Sequence, residues 1–539
     1  MKDLLKLSSS VPLREKIRAM LFRWIAGFAA ALPFVVLQSP VLAKVPCEQL
    51  ASMTFPGVTT LSAVLTDHVE VPGGRGPQQL EMPGLCRVSG TIEPEVQFEI
   101  WLPSKWNRKL MVVGNGGLAG NINYAQMLPP LRRGYASSST DTGHVGISTN
   151  DGTWALGHPE RIRDFADRAI HVLAVADKAI VRAYYGGGLS RSYFNGCSQG
   201  GHEAFIEAQR YPEDFDGIIA GDPANNWTRH YAGGHLWTGL AMEGDAFLPP
   251  DKVQLLSDKV NEQCDHLDGV KDGVLTDPRR CPFRPETLLC VGADAPDCLT
   301  GAQVGGVTKI WSGLRSERGG LLYPGLVPGG EAGTGGWQNW VTGVAPGKSA
   351  HLNLAIPFYR YMVFDDPEWD YRTFRFEARD GVPSDVDRTD AKLGALFNAV
   401  DPDLSKFRKR GGKMIQYHGW SDPDITPLNS IAYYDNVVQV NAKGGKDGLQ
   451  NTQKFYRLFM VPGMQHCSGG PGATQFSMVA ALESWVESGD APERIIATRA
   501  TAGTVEFTRP LCPHPSEAVW DGVGDVNQAS SFRCSTLAR

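Results

Sequence analysis

Apolar residues along this chain fall into two textures. In the first, short apolar runs end at glycine and alternate with segments whose apolar positions recur at helical spacing. Residues 109–113 form such a run and lead into Gly114-Asn115-Gly116-Gly117, which predicts a strand entering a glycine loop. Residues 165–185 carry apolar positions at helical spacing and stop at Gly186-Gly187-Gly188, which predicts a helix with a glycine end. Tyr193-Phe194-Asn195 reads as a strand, and residues 201–210 read as a helix that stops near Tyr211-Pro212. Residues 216–220 predict a strand ending at Gly221-Asp222-Pro223. Two late strands follow at 413–417 and 455–461, then a helix over 474–488 closed by Gly489. Strands alternating with helices predict an α/β fold with a mostly parallel sheet.

The second texture lies between positions 225 and 403. It holds four cysteines, Gly-Pro turns and many tryptophans without strand–helix alternation. It is too long for a loop and predicts an inserted lid domain. Residues 44–224 and 404–539 then form the domain it interrupts. A chain of 539 residues exceeds one ordinary core, which agrees with that division.

The N-terminus is expected to be a signal peptide, residues 1–43. Arg14, Lys16, Arg18 and Arg23 precede an apolar stretch over 24–37, and Val41-Leu42-Ala43 offers a cleavage site. That stretch is short for a membrane anchor, so no stable anchor is expected after cleavage. The segment carries six basic and two acidic side chains, so the remainder holds a charge of −10. Without a basic run this argues against nucleic-acid binding. A secreted or periplasmic location is expected. All ten cysteines lie beyond Ala43, and an even number in an exported chain reads as five disulfides. Cys264 with Cys281, Cys290 with Cys298, and Cys512 with Cys534 are plausible local pairs. Nothing in the sequence specifies an oligomer.

The chemistry centres on Gly196-Cys197-Ser198-Gln199-Gly200, which fits the nucleophile elbow G-x-S-x-G between a strand and a helix. A serine needs a base, and the base needs an orienting carboxylate. In an α/β-hydrolase fold these follow in the order Ser, acid, His, on loops after late strands. The run after 413–417 is His418-Gly419-Trp420-Ser421-Asp422-Pro423-Asp424, and the run after 455–461 is Pro462-Gly463-Met464-Gln465-His466-Cys467. Ser198 is therefore the expected nucleophile, Asp422 the acid, with Asp424 as the alternative, and His466 the base. For the oxyanion hole the expected donors are the backbone N–H groups of Gln199 and Gly117, with Gly116 next to it. Cys197 and Cys467 flank the proposed nucleophile and base. If those two meet, their neighbours come within disulfide reach.

On the combination Cys197-Ser198, Asp422 and His466-Cys467, the chain resembles the tannase and feruloyl esterase family of secreted serine esterases. The resemblance spans the chain beyond residue 43. It implies that Cys47 pairs with Cys86, Cys197 with Cys467, Cys264 with Cys281, Cys290 with Cys298 and Cys512 with Cys534. It also bears on Cys264-Asp265-His266-Leu267-Asp268-Gly269-Val270-Lys271-Asp272-Gly273-Val274. Three aspartates within eight residues supply hard oxygen ligands, and related enzymes carry a structural lid calcium at this motif. The implied ligands are the carboxylates of Asp265, Asp268 and Asp272 and the carbonyls of Val270 and Val274.

The lid aromatics Trp337, Trp340, Phe358, Tyr359, Tyr361, Phe364, Trp369 and Tyr371 suit a planar phenolic acyl group, though most are expected to fill the lid's own core. The expected activity is a serine carboxylic-ester hydrolase acting on small aromatic esters of feruloyl or gallic type. Family members that cleave mono(2-hydroxyethyl) terephthalate use a lid arginine, and the matching stretch here, Leu352-Asn353-Leu354-Ala355-Ile356, offers none. A peptidase is a weaker alternative. A non-catalytic secreted binding protein on a hydrolase scaffold is the alternative of another class. The presence of Ser198, Asp422 and His466 together argues against it.

Overall fold

Nine strands form one sheet in the computed structural model, which describes residues 44–71, 78–442 and 445–536. The expected signal peptide lies outside the described residues. The strands are β1 (Val58–Val71), β2 (Gln78–Ile92), β3 (Val96–Leu102), β4 (Lys109–Val113), β5 (Ala136–Thr140), β6 (Arg191–Cys197) and β7 (Gly217–Gly221). A small hairpin in the insertion supplies β8 (Leu314–Arg315) and β9 (Leu321–Tyr323), and the sheet then resumes with β10 (Lys413–Gly419) and β11 (Tyr456–Val461). The sheet order is β1-β2-β3-β5-β4-β6-β7-β10-β11. Strands β1, β2, β3 and β5 pair antiparallel, and from β5 through β11 every pairing is parallel. With helices between successive parallel strands, this is an α/β-hydrolase fold.

The helices that bear on the sheet are α1 (Tyr124–Arg132), α2 (Ala169–Tyr185) and α3 (Gln199–Arg210). The insertion carries α4 (Pro250–Cys264), α5 (Gly301–Ser312) and α6 (Ala350–Phe358), and α7 (Pro427–Asn441) and α8 (Met478–Ser488) follow it. Alternation along β4 shows how the layers are fed. Leu110 and Val112 pack with Leu173 and Ile180 of α2 and Val437 of α7. Met111 and Val113 pack on the other face with Met127 and Leu131 of α1 and Leu482 and Trp485 of α8. Both faces are covered, so β5, β7 and β11 are buried at every position: β7 and β11 as apolar runs, and β5 with four small hydroxyl side chains, Ser137, Ser138, Ser139 and Thr140.

Helix α8 starts four residues later than the pattern predicts. Gln475 pairs instead with Thr498 through two backbone bonds of 3.0 and 2.9 Å, and the Ser477 hydroxyl accepts from Ala480 N to start the helix. Strands β1–β3 and β5 were not among the predicted elements. Most of β1 is exposed or half-buried, which breaks its apolar pattern. After α8 come two hairpins, β12–β13 (Ile495–Thr501, Thr504–Leu511) and β14–β15 (Glu517–Trp520, Phe532–Ser535).

Residues 225–403 contribute their own apolar packing, with Val253, Leu256, Ile310 and Trp337 in one cluster. All five expected disulfides are formed. Cys47 bonds to Cys86, Cys197 to Cys467, Cys264 to Cys281, Cys290 to Cys298 and Cys512 to Cys534. The first of these ties the short 3-10 turn Cys47–Ser52 to the middle of β2, and both of its cysteines are buried. No helix among the described residues is long and apolar enough to cross a membrane.

Candidate active site

Ser198 sits between β6 and α3 with φ 65° and ψ −120°. A non-glycine residue at positive φ is strained and persists only where its surroundings over-determine it. Here β6 pairs on both sides, and Ser198 N donates to Gly221 O at 3.0 Å. Glycine is required on either flank. A Cβ on Gly196 would lie 2.4 Å from the Gly200 carbonyl oxygen, and one on Gly200 would lie 3.0 Å from Asn115 O and 3.2 Å from Gly114 Cα. The elbow is thus pressed against the loop after β4, and Gly200 N donates to Asn115 O across that contact at 3.0 Å.

The loop after β10 carries both aspartates. Asp422 is buried, and its Oδ1 accepts from Asp424 N at 2.8 Å and Ile425 N at 3.1 Å. Its Oδ2 accepts from His466 Nδ1 at 2.9 Å and lies 3.4 Å from His418 Nε2. Burial would raise the Asp422 carboxyl, but His466 and His418 outweigh it and hold it well below the usual carboxylate range. Burial likewise opposes charge on His466, yet Asp422 and Asp424 raise its pKa above that of free histidine.

His466 rides on the loop after β11. Its neighbour Cys467 is bonded to Cys197, with Cα atoms 6.0 Å apart, so the bridge brings the Ser198 and His466 loops together. Cys47 and Cys86, by contrast, take no part in the site: they belong to the apolar packing on one face of the sheet, with Leu50, Val88 and Leu102. Among the described residues no hydrogen bond joins Ser198 Oγ to His466. The Nε2 edge faces Asp424 Oδ2 at 3.3 Å instead. The two candidate acids therefore take opposite edges of one imidazole, Asp422 at Nδ1 and Asp424 at Nε2. Catalytic hydrogen bonds are often long before substrate binds, so the open Ser198–His466 contact does not exclude a working pair.

Gln199 opens α3, where the first backbone N–H groups of a helix lack intrahelical partners. Its side chain donates to Glu203 Oε1 at 2.9 Å, while Glu203 Oε2 accepts from Asn115 N at 3.0 Å. Gly117 has φ +57°, and a Cβ there would lie 2.4 Å from Thr149 O, whereas the side-chain direction of Gly116 is open. Both glycines are half-buried on the loop that abuts the elbow.

Three residues outside the expected set hold this arrangement. Asp222, buried at the end of β7, accepts from Gly419 N at 2.7 Å and Cys467 N at 3.2 Å, tying the loops after β10 and β11 together. The signal available for it was a polar residue directly after a predicted strand. Buried Glu203 is pushed up by desolvation to about 8 and braces Gln199 against Asn115. Its signal was weaker, an acid one helical turn into α3. His418, between Asp222 and Asp422, donates or accepts at Ser430 Oγ over 2.7 Å and reaches Ile425 O at 2.8 Å.

Of the eight lid aromatics, Trp340 makes the ring contact with His466, edge to face at 5.0 Å between centroids. Trp337 is buried among Val253, Leu256 and Ile310, whereas Phe358, Tyr359 and Tyr371 are buried in a cluster shared with Leu118, Trp154 and Phe165 outside 225–403. Residues 352–356 lie in α6, where Leu352, Leu354 and Ala355 are buried.

At the acidic motif, Asp265 Oδ1 accepts from the backbone N of Asp272, Gly273 and Val274 at 3.2, 2.9 and 3.2 Å. Asp268 Oδ2 accepts from Thr276 Oγ1 at 2.6 Å, and Asp272 Oδ2 from Arg509 Nη2 at 2.7 Å. Asp268, Val270, Asp272 and Val274 line one cavity of about 30 Å³. Burial and then the neighbouring carboxylates raise both Asp268 and Asp272. The same cavity is lined by Arg509, whose guanidinium is bonded to Asp272, and by Pro462, Phe507, Leu511 and Phe532, so the hard oxygens of Asp268 and Asp272 stand beside a fixed cation and apolar walls. Asp265 does not line that cavity, and its role is visible as the acceptor that shapes the loop.

The family model described as tannase and feruloyl esterase matches residues 81–535. An uncharacterized esterase of Xanthomonas campestris is 38% identical over 96% of this chain and 94% of its own. A probable feruloyl esterase B-2 of Aspergillus fumigatus is 32% identical over 93% of this chain and 99% of its own. The crystal structure of feruloyl esterase B from Aspergillus oryzae superposes with a TM-score of 0.79 at 28% identity, covering 91% of this chain and 99% of that one.

Proposed function

The chain belongs to the tannase and feruloyl esterase family and is a carboxylic-ester hydrolase, and we propose that it cleaves esters of phenolic acids through a Ser198–His466–Asp422 acyl-enzyme mechanism. The observation that carries this reading is the strained Ser198 coupled through Cys197–Cys467 to His466, whose Nδ1 is held by Asp422. Ser198 Oγ attacks the ester carbonyl while its proton passes to His466 Nε2. The oxyanion is met by the N–H groups of Gln199 and Gly117. His466 returns the proton to the leaving alcohol as the C–O bond breaks. Water then repeats the sequence on the acyl-serine and releases the acid. Asp422 stays ionised throughout and stabilises the imidazolium.

Trp340 beside His466 supports a planar aromatic acyl group, and the relatives called feruloyl esterases favour hydroxycinnamates among such acids. The five disulfides support an exported enzyme, secreted or periplasmic. A calcium ion at this loop, with Asp268 and Asp272 and the carbonyls of Val270 and Val274 as ligands and Asp265 shaping the turn, would have a structural role, since the cavity joins the 225–403 segment to Pro462, Gly472 and Ala473.

The test is hydrolysis of methyl ferulate, methyl p-coumarate, methyl gallate and mono(2-hydroxyethyl) terephthalate by wild type and Ser198→Ala. The expected result is turnover of at least one phenolic ester, reduced about 10⁴-fold or more in the variant. A variant retaining more than about a hundredth of wild-type kcat would remove Ser198 from the reaction.

A further inference from the structure

His466 is bracketed. Asp422 Oδ2 sits 2.9 Å from Nδ1, and Asp424 Oδ2 sits 3.3 Å from Nε2. One turn makes this possible, because Asp422 Oδ1 accepts the Asp424 and Ile425 N–H groups and so fixes both carboxylates relative to each other. Asp424 is buried. Its Oδ1 accepts from His235 Nε2 at 2.8 Å and lies 3.6 Å from His351 Nε2. His351 is in turn hydrogen-bonded to Thr238 Oγ1 at 2.7 Å. We propose that Asp424 is a second positioning carboxylate for the base, taking the Nε2–H of the His466 imidazolium whenever Ser198 Oγ or the leaving alcohol does not. This role rests on the Ser198–His466 reading above.

The charges around the ring explain why. On the Nδ1 side stand Asp422, Asp222 and His418. On the Nε2 side stands Asp424, with His235, His351 and His230 behind it and the Trp340 edge across the ring; burial holds His230 well below the usual histidine range. His235 and His351 are held neutral, each pushed down to about 3 by burial first. The Asp424 carboxylate therefore has one neutral donor, His235, on one oxygen, with His351 3.6 Å away, and His466 as its ionisable partner on the other. A buried carboxylate without a countercharge is costly, so this one favours a proton on His466. That accounts for the ring turning its Nε2 to Asp424 rather than to Ser198.

Two consequences follow for the cycle. In the free enzyme Asp424 competes with Ser198 for the Nε2 edge, so the base becomes available only as pH rises. In the tetrahedral intermediate the proton taken from Ser198 lies on Nε2, where Asp424 stabilises it until the leaving oxygen takes it. Asp424 itself neither gains nor loses a proton.

The experiment pairs kinetics with a titration that does not depend on turnover. For wild type and Asp424→Asn, kcat/KM is followed against pH. For Ser198→Ala and Ser198→Ala/Asp424→Asn, the His466 ring is titrated by NMR on histidine-labelled protein. Loss of the negative charge should move the acidic limb and the His466 titration to lower pH together, by about one unit or more. Maximal kcat should fall on the order of tenfold. If Asp424→Asn does not fold by circular dichroism, His235→Leu replaces it. Removing that donor leaves Asp424 more dependent on His466, so the limb and the titration should move to higher pH. An unmoved limb and titration in a folded variant overturn the role of Asp424. Activity surviving in Ser198→Ala overturns the reading of the site instead, so the two failures are separable.

Discussion

Cys197 and Cys467 are bonded across 270 residues of chain, with their Cα atoms 6.0 Å apart, and each is the immediate neighbour of a proposed catalytic residue. Cross-linking a loop of that length removes roughly 6 kcal/mol of unfolded-state entropy in the simplest model. Ser198 is held in strained backbone and Cys467 also has positive φ, at 61°. The bridge therefore joins two tightly turned positions rather than two flexible ones.

Replacing both Cys197 and Cys467 by alanine should leave Ser198 and His466 chemically intact but less well registered. Misplacement of about 1 Å costs on the order of 10²-fold in rate, so kcat should fall by about that factor in protein that remains folded. Peptide mapping without reductant should find the Cys197 peptide linked to that of Cys467. A folded double variant with kcat within about threefold of wild type would make the bridge a stabilising feature alone.

Asp222 links the same loops from below. Its two oxygens accept from Gly419 N and Cys467 N, so Asp222→Asn must turn an amide N–H toward one of those donors. A buried donor left without an acceptor costs about 1–3 kcal/mol. Urea unfolding should show a loss in that range, and kcat should drop while KM changes little, because the His466 loop is disturbed and the lid is not. An equal rise in KM with constant kcat would place the effect in substrate binding instead.

Strands β4, β6, β7, β10 and β11 were legible, because parallel strands buried on both faces leave apolar runs, whereas β5, equally buried, reads Ala-Ser-Ser-Ser-Thr and left no such run. Strands β1–β3 left no such runs: β1 alternates with long exposed stretches and pairs antiparallel at the sheet edge. The bond between Cys47 and Cys86 shows the same limit, since no spacing rule singles out that pair and only the family resemblance pointed to it. Ser198, Asp422 and His466 could be singled out as candidates because each stands in a short motif at a strand end. Asp222 and Glu203 could not, since a buried carboxylate is recognised by the N–H groups converging on it from distant segments. Asn115 N donates to Glu203 across 88 residues, and Cys467 N to Asp222 across 245.

Calcium removal tests the acidic loop. Burial raises the carboxyls of Asp268 and Asp272, against Arg509 at the second, and a divalent cation would favour their ionised forms. Chelation should lower Tm, and added calcium should restore it. Asp268→Asn should weaken the response, while the Ser198 chemistry is retained at temperatures below unfolding. Purified protein free of calcium, with a Tm indifferent to chelator, would leave Asp265, Asp268 and Asp272 as a hydrogen-bonded turn.

Glu203 gives a pH dependence of stability whose sign can be worked out. Its carboxyl is raised from 4.5 to about 8 by burial, against the bonds from Gln199 and Asn115. The folded protein therefore binds this proton more tightly than the unfolded chain does. That contribution is fully present below the unfolded value of 4.5 and is lost progressively as pH rises through about 8. Glu203→Gln removes the ionisation while keeping an oxygen to accept from Asn115 N. Its amide N–H groups also face Gln199, whose Oε1 is buried without a hydrogen-bond partner among the described residues. As pH rises from 4.5 to about 8, the variant should thus lose less stability than wild type, measured as urea unfolding free energy at each pH. Because Glu203 braces the Gln199 and Asn115 segments, kcat should fall only modestly while that brace persists. If the two proteins trace parallel stability curves across this range, the Glu203 proton is not carried by the folded state.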